Sequence, residues 1–388
     1  SMTCLERQGG LNGVSERRLS VLVGDDQSDV REAIRLLLKA AGHEAEAVES
    51  PEALLCAARE RRFDVILMDL NYARDTTSGE EGLDLLMGLR RAGVRTPVVV
   101  MTAWSSVELA VAAMQRGASD FVQKPWDNFR LLTTLQNQAE KADKENDDNR
   151  RWQREMEIAR NVQRKLFPRN TVRLATIEYD AGCIPAREVS GDYYDYLPCG
   201  PGRLGFVLAD VSGKGVAAAL LMANLQASFR GEPEDVIQRP VDLIEAVNSR
   251  FRESTPVEQY ATVFFGHYDE SSRRLRYANC GHPPPLLLRR QGDVEWLEST
   301  GTVLGMFQKW NGEEREVEIG AGDVLIAYSD GVSEAANAAG EELGRAGILI
   351  AARAESTPSR LVAALLDGPL AAGSGQADDR TILAIRGK

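Results

Sequence analysis

The chain is 388 residues long, 43% hydrophobic and 27% charged, with a formal net charge of -12. That length predicts two or three domains with cores of their own, and the acidic balance excludes a nucleic-acid surface covering the whole protein. Scattered cysteines without a CxxC pair, three distant histidines, no apolar run of about 18 residues and no signal-peptide pattern argue against a disulfide framework, a zinc site and a membrane span, and make the cytoplasm the expected location.

From residue 19, short apolar runs alternate with helical patterns. Runs at 19–23, 65–68, 97–101 and 121–122 read as buried strands, ending at Asp25 and Asp26, at Asp69, at Thr102 and at Lys124. Val30, Ile34, Leu37, Leu38 and Ala41 fall at helical spacing, and further helices are expected over 83–89, 107–115 and 128–139. Repeated βα units predict a parallel sheet covered on both faces, with functional groups at the carboxyl ends of its strands. Asp25, Asp26 and Asp69 are expected to converge there. Three carboxylates call for a divalent cation, and all-oxygen ligands suit Mg2+. A carboxylate beside such a cation is a nucleophile toward a phosphoryl group; Thr102 would bond the phosphoryl oxygen and Lys124 would neutralise its charge.

The segments VGDDQ, ILMDL, VVVMTAW and FVQKP, in this order, resemble the receiver domain of response regulators over residues 17–140. The resemblance implies a flavodoxin-like α/β fold with Asp69 as phosphoacceptor and a sensor histidine kinase as partner. It makes Asp26, Asp69 and the Asn71 carbonyl Mg2+ ligands, assisted by Asp25, and puts Phe121 at an aromatic switch position. The connection over 71–81 is longer and more polar than usual.

Residues 141–170 read as a helical linker. Leu131, Leu135, Ala139 and Ala142 form an apolar stripe that breaks over the polar stretch 143–151 and resumes at Trp152, Met156, Ala159, Val162 and Leu166, until Pro168 ends the helix. The spacing fits either a coiled-coil seam, and hence a homodimer, or an amphipathic helix docked on the next domain. The polar middle is a candidate hinge.

Residues 171–388 change character. Short strands are expected over 177–183, 203–209, 261–268, 275–278, 286–288, 315–319, 324–328 and 381–385, with helices over 216–229, 240–252 and 358–366. This predicts an α+β fold, a sandwich with helices outside. Acidic residues cluster near strand ends: Asp192 in VSGDYYD, Asp210 in ADVSGKG, Asp330 in AYSDGVSE, and Asp378 with Asp379 in ADDRTIL. Purely oxygen ligands favour Mg2+ or Mn2+ over zinc. Gly213-Lys214-Gly215 lacks the first Gly and the Ser/Thr of a nucleotide phosphate loop.

These segments, together with IARNVQRKLFP, NCGHPPPLLL and TGTVLG, resemble the metal-dependent protein phosphatases (PPM), in their bacterial SpoIIE/RsbU-like branch. The resemblance implies a four-layer αββα sandwich holding two Mn2+ or Mg2+ ions that activate water for attack on a phosphoserine or phosphothreonine. It makes Asp210 the bridging ligand with the Val211 carbonyl assisting. Asp330 and Asp378 become ligands of the second ion, with Asp379 beside them and Asp192 at an outer acidic position. Arg187 is a candidate phosphate-binding cation. His282 reads as packed rather than catalytic. The expected protein is therefore a two-component response regulator whose output is a Ser/Thr phosphatase. The resemblance implies a phosphorylated STAS-domain anti-sigma factor antagonist as its substrate. No nucleic-acid or membrane partner is expected. The rival reading is a non-catalytic module that sequesters its partner under phosphorylation control.

Overall fold

The computed structural model describes residues 17–72, 79–102, 107–168, 172–336, 340–367 and 378–388; part of the polar connection after Asp69, residues 73–78, lies outside them. The chain divides into two compact units between Trp152 and Gln153.

The first unit alternates strand and helix: β1 (Ser20–Gly24), α1 (Ser28–Ala40), β2 (Glu44–Val48), α2 (Pro51–Glu60), β3 (Val65–Asp69), α3 (Glu80–Arg91), β4 (Val98–Thr102), α4 (Val107–Gln115), β5 (Asp120–Gln123) and the start of α5 (Asn128–Gln163). The five strands pair in parallel in the order β2-β1-β3-β4-β5. Strands β3 and β4 are buried along their whole length, because a parallel sheet is covered on both faces. One face packs Leu22, Ile66, Met68 and Val100 against Leu54, Leu83 and Leu86. The other packs Val21, Val23, Leu67 and Val99 against Ile34, Leu38, Leu131 and Leu135. The apolar runs in the sequence did not reveal β2. It reads EAEAV and lies at the sheet edge, where no continuous apolar run is needed.

Helix α5 runs unbroken through the polar stretch 143–151 and is 36 residues long. Along the stripe Met156 is buried and Trp152 and Val162 are exposed, and Gln163, which is not part of it, is buried.

The second unit contains β6 (Ile177–Ile184), β7 (Asp192–Pro198), β8 (Arg203–Val211), α6 (Val216–Arg230), α7 (Glu234–Ile237), α8 (Pro240–Ser254), β9 (Ala261–Asp269) and β10 (Arg274–Cys280). There follow β11 (Leu286–Leu288), β12 (Val294–Trp296), β13 (Arg315–Glu318), β14 (Val324–Tyr328), α9 (Asp330–Ser333), α10 (Gly344–Ala354), α11 (Pro358–Asp367) and β15 (Arg380–Gly387). Two antiparallel five-stranded sheets form, ordered β13-β10-β9-β8-β7 and β12-β11-β14-β15-β6. Leu204, Phe206, Leu208 and Phe264 of the first meet Leu287, Leu325, Leu383 and Ile385 of the second. The outer face of the first sheet packs Val207, Ala209 and Phe265 against Met222, Leu225 and Val247 of α6 and α8. The outer face of the second packs Ile326, Ile382 and Ala384 against Ile348, Leu361 and Leu365 of α10 and α11. The order of layers is thus helix, sheet, sheet, helix. Strand β7 was not expected from the sequence, because DYYDYLP mixes acidic and aromatic residues on both of its faces.

Phe206 is fully buried between the sheets. Phe206→Ala should cost the second unit about 3–5 kcal/mol in denaturant unfolding; a loss below about 1 kcal/mol would contradict this packing.

Candidate functional sites

In the first unit the chemistry collects at the carboxyl edge of the sheet. Asp25 follows β1, Asp69 and Thr102 end β3 and β4, and Lys124 follows β5. Adjacent registers bring these strand ends side by side, with Gly24 opposite Met68 and Asp69 opposite Met101. Oxygens of Asp25, Asp26 and Asp69 all lie within 4.8 Å of one another. The Lys124 ammonium donates to Asp25 Oδ2 and Asp69 Oδ2, each at 2.7 Å. Burial pushes the Asp69 carboxyl above its ordinary range, and the bonds from Lys124 only partly offset this. Burial alone would lower the Lys124 ammonium, but its two carboxylate partners outweigh burial and hold it above its ordinary value. Asp26 Oδ1 and Asn71 Oδ1 are buried with no hydrogen-bond partner. Three converging carboxylates with unpartnered buried oxygens fit a hard divalent cation. Thr102 is buried at this edge, while Phe121 is 39% exposed. Sequence reading missed Tyr72: its buried hydroxyl is pushed up by burial first, then by Asp69, Asp25, Asp26 and Glu81.

In the second unit Asp192 opens β7 and stands opposite Asp210 in the antiparallel register of β7 with β8. Asp210 and Val211 close β8, Asp330 opens α9, and Asp378 precedes β15. Gly331 is where α9 meets the chain before β15: a Cβ there would lie 2.1 Å from the Asp379 carbonyl oxygen and 3.1 Å from Asp378 Cβ. Burial and then the charges of Asp330, Asp378 and Asp379 push the Asp210 carboxyl up to about 7. Asp330 is likewise raised by burial and by Asp378. Asp192 is buried and raised well above its ordinary value by burial, then by Asp210, and its Oδ2 has no hydrogen-bond partner. These carboxylates are gathered less tightly than those of the first unit, since among the described residues no second triple lies within 4.8 Å. Crowded carboxylates of all-oxygen character, one with an unpartnered buried oxygen, also fit divalent cations. Arg187 is exposed, and its Nη1 would lie 3.7 Å from a Cβ at Gly215.

The structure separates Asp378 from Asp379. Asp379 Oδ1 accepts from the Ala186 N–H at 2.7 Å, and its Oδ2 accepts from Ser190 Oγ at 2.8 Å and the Gly191 N–H at 2.7 Å. Its carboxylate thus fastens the turn that presents Asp192. Asp378 Oδ2 instead faces Lys214 Nζ at 2.8 Å. The same turn is held from its other side by α5. Buried Gln163 donates from Nε2 to the Ser190 carbonyl at 2.8 Å, and its Oε1 accepts from the Ser190 N–H at 2.9 Å. Nothing in the sequence pattern singled out Gln163. His282 is buried, with Nδ1 2.9 Å from Thr262 Oγ1, and desolvation pushes its pKa down to about 3.

Comparison with known proteins agrees with this architecture. The family model for the response regulator receiver domain matches residues 21–136, and that for Stage II sporulation protein E (SpoIIE) matches residues 200–388. The chain joins a receiver domain to a SpoIIE-type domain. Phosphoserine phosphatase RsbU of Bacillus subtilis is 29% identical over 181 residues, which cover 46% of this chain and 53% of RsbU. Protein IcfG of a Synechocystis species is 30% identical over 260 residues, or 60% of this chain and 41% of IcfG. The chain therefore spans about half the length of the curated relatives it matches. The solved SiaA-PP2C domain of Pseudomonas aeruginosa superposes with a TM-score of 0.53 at 21% identity, covering 62% of this chain and 97% of that domain, which shows a shared fold. No described helix is long and apolar enough to cross a membrane.

Two measurements check the geometry of the SpoIIE-type domain. Asp379→Ala should cost about 2–4 kcal/mol by stranding buried donors, whereas Asp378→Ala should leave stability within about 0.5 kcal/mol of the wild type; equal costs would contradict the division between them. In chelator, folded Asp210 keeps its proton up to about pH 7, while an ordinary unfolded carboxyl loses it near 3.8. The folded state therefore binds more protons across this window, and its stability falls as pH rises through it. Asp210→Asn should then melt at least about 3 °C above the wild type at about pH 8, with the gap closing toward pH 5; a gap independent of pH would contradict the strain.

Proposed function

We propose that this chain is a response regulator whose output is a divalent-metal-dependent protein serine/threonine phosphatase. The observation that carries the reading is the meeting of Asp192, Asp210, Asp330 and Asp378 from four chain segments, with Asp210 pushed up to about 7 by burial and by its acidic neighbours. The RsbU and SpoIIE similarities support the same activity.

In the receiver, Asp69 is the nucleophile that takes a phosphoryl group from a sensor histidine kinase. Lys124, already 2.7 Å from its carboxylate, stays to balance the added charge, and Thr102 bonds a phosphoryl oxygen. Asp25, Asp26, Asp69 and the Asn71 carbonyl would hold Mg2+. In the phosphatase domain, Asp210, the Val211 carbonyl, Asp330 and Asp378 would hold a pair of Mn2+ or Mg2+ ions, with Asp192 at the outer edge. Divalent ions bound there supply Lewis acidity, which lowers the pKa of water and offsets the charge of the phosphoryl group. Asp379 keeps the Ser190–Asp192 turn in place, and exposed Arg187 receives the substrate phosphoryl group.

The linker over 141–170 carries the signal. Helix α5 begins on the receiver sheet and ends with Gln163 bonded to both backbone groups of Ser190, two residues before Asp192. A shift or rotation of α5 would move that turn directly. Trp152 and Val162 of the apolar stripe are exposed on the same helix and offer α5 a seam for a homodimer. The substrate is a phosphorylated STAS-domain anti-sigma factor antagonist, acted on in the cytoplasm.

The test is dephosphorylation of such a phosphoprotein, and of an aryl phosphate, in Mn2+. Asp210→Asn should lose about a hundredfold or more in kcat, and activity surviving in that variant would sink the assignment. Acetyl phosphate should change the wild-type rate toward the phosphoprotein, leave Asp69→Ala unaffected and act weakly on Gln163→Ala. An equal response in all three would remove the proposed route of control.

A further inference from the structure

Lys214 reaches the phosphatase centre from the turn after β8: its Nζ lies 2.8 Å from Asp378 Oδ2. Its side chain is 43% exposed, so it reaches the carboxylates from the rim rather than from the core. The bond to Asp378 holds the ammonium above its ordinary pKa, and Asp330 and Asp379 add to this. In turn, the ammonium offsets part of the repulsion felt at Asp330. The residue sits between two glycines in left-handed conformations, Gly213 at φ 96° and Gly215 at φ 79°. An added Cβ at either glycine would meet its nearest neighbour only at 3.7 Å, so the turn is open on both sides of the lysine.

We propose that Lys214 is a built-in counter-cation that competes with a divalent ion for Asp378 and is displaced toward the substrate side when that ion binds. This rests on the metal-dependent reading above. Asp378 Oδ1 already accepts from the Asp379 N–H at 2.9 Å and Oδ2 from the ammonium at 2.8 Å, so a divalent ion ligated by Oδ2 meets the ammonium as a like charge. The contact is partly exposed and screened, so it yields to a better-bound cation. The Gly-Lys-Gly pivot lets the side chain swing out by backbone rotation that other residues would resist. Once released, the ammonium stands on the same turn that Arg187 approaches, since a Cβ at Gly215 would lie 3.7 Å from Arg187 Nη1. Two cations then face the mouth of the centre, where a phosphoryl dianion arrives. Lys214 is a positioning residue for the cation pair: it keeps the acidic centre partly neutralised before metal arrives and sets how tightly the second ion is held.

The test is Mn2+ titration by calorimetry on the full chain carrying Asp26→Asn, which removes the receiver's cation site, with and without Lys214→Met. The lysine-free protein should bind Mn2+ about fivefold tighter, the worth of one lost ion-pair competitor. A lysine that merely shapes the turn would give weaker binding on removal. Equal or weaker affinity in Lys214→Met, with aryl phosphate hydrolysis still dependent on Mn2+, overturns the counter-cation role and leaves the phosphatase reading standing. Absence of Mn2+ binding and of hydrolysis in both proteins overturns both. Lys214→Arg, which keeps the charge, should bind like the wild type; an affinity matching Lys214→Met would also overturn the role.

Discussion

Repulsion among carboxylates is the constraint around which the C-terminal half is built. Asp192 and Asp210 are locked opposite each other by the β7–β8 register, while Asp330 and Asp378 arrive from the neighbouring sheet. The first pair cannot retreat without breaking strand pairing; Asp330 follows the end of β14 and Asp378 precedes the start of β15, each by two residues. Burial first, and this repulsion after it, appear as proton affinity: Asp210 is pushed up to about 7, and Asp192 and Asp330 are raised as well. A rigid sandwich with dry cores on both sides of each sheet supplies the stiffness that keeps the acids together. The receiver meets the same problem on a smaller scale and meets part of it internally, with Lys124 bonded to both Asp25 and Asp69.

The two centres differ in how their counter-charge is held. Lys124 is only 21% exposed and bonds two carboxylates that are nearly or fully buried, whereas Lys214 is 43% exposed and bonds one at the rim. The first arrangement suits a permanent member of a site that must balance an added phosphoryl group. The second suits a group that leaves. Behind the phosphatase centre, Asp379 and Gln163 grip the Ser190–Asp192 turn from two directions, one from the segment leading into β15 and one from the linker helix. A single short turn thereby reports on both the cation ligands and the regulatory segment.

Much of this was legible in the sequence because the informative residues are local. An apolar run that stops at an aspartate, as at Asp69 or Asp210, marks a strand end and a polar group fixed on it. What depends on distant pairing was not legible. Asp378 and Asp379 look alike in ADDRTIL, and only the turn near residue 190 assigns Asp379 to the Ala186 and Gly191 N–H groups and the Ser190 hydroxyl. Strand β7 hid because its helix-facing side uses Tyr193 and Asp195 rather than an apolar run; the Tyr193 hydroxyl bonds Asp195, which also pairs with Arg230. In the linker, spacing alone did not say which turns of the stripe are covered: Met156 is buried and Trp152 and Val162 are exposed, while Gln163, outside the stripe, is buried with both its amide atoms bonded to Ser190.

The most direct measurement is anomalous diffraction from crystals of the full chain grown in Mn2+. The account predicts Mn2+ peaks in the C-terminal domain touching the carboxylates of Asp210, Asp330 and Asp378, with the Asp379 carboxylate still on Ser190 and Gly191. Crystals with Mn2+ on the receiver carboxylates but none among Asp210, Asp330 and Asp378 would contradict it.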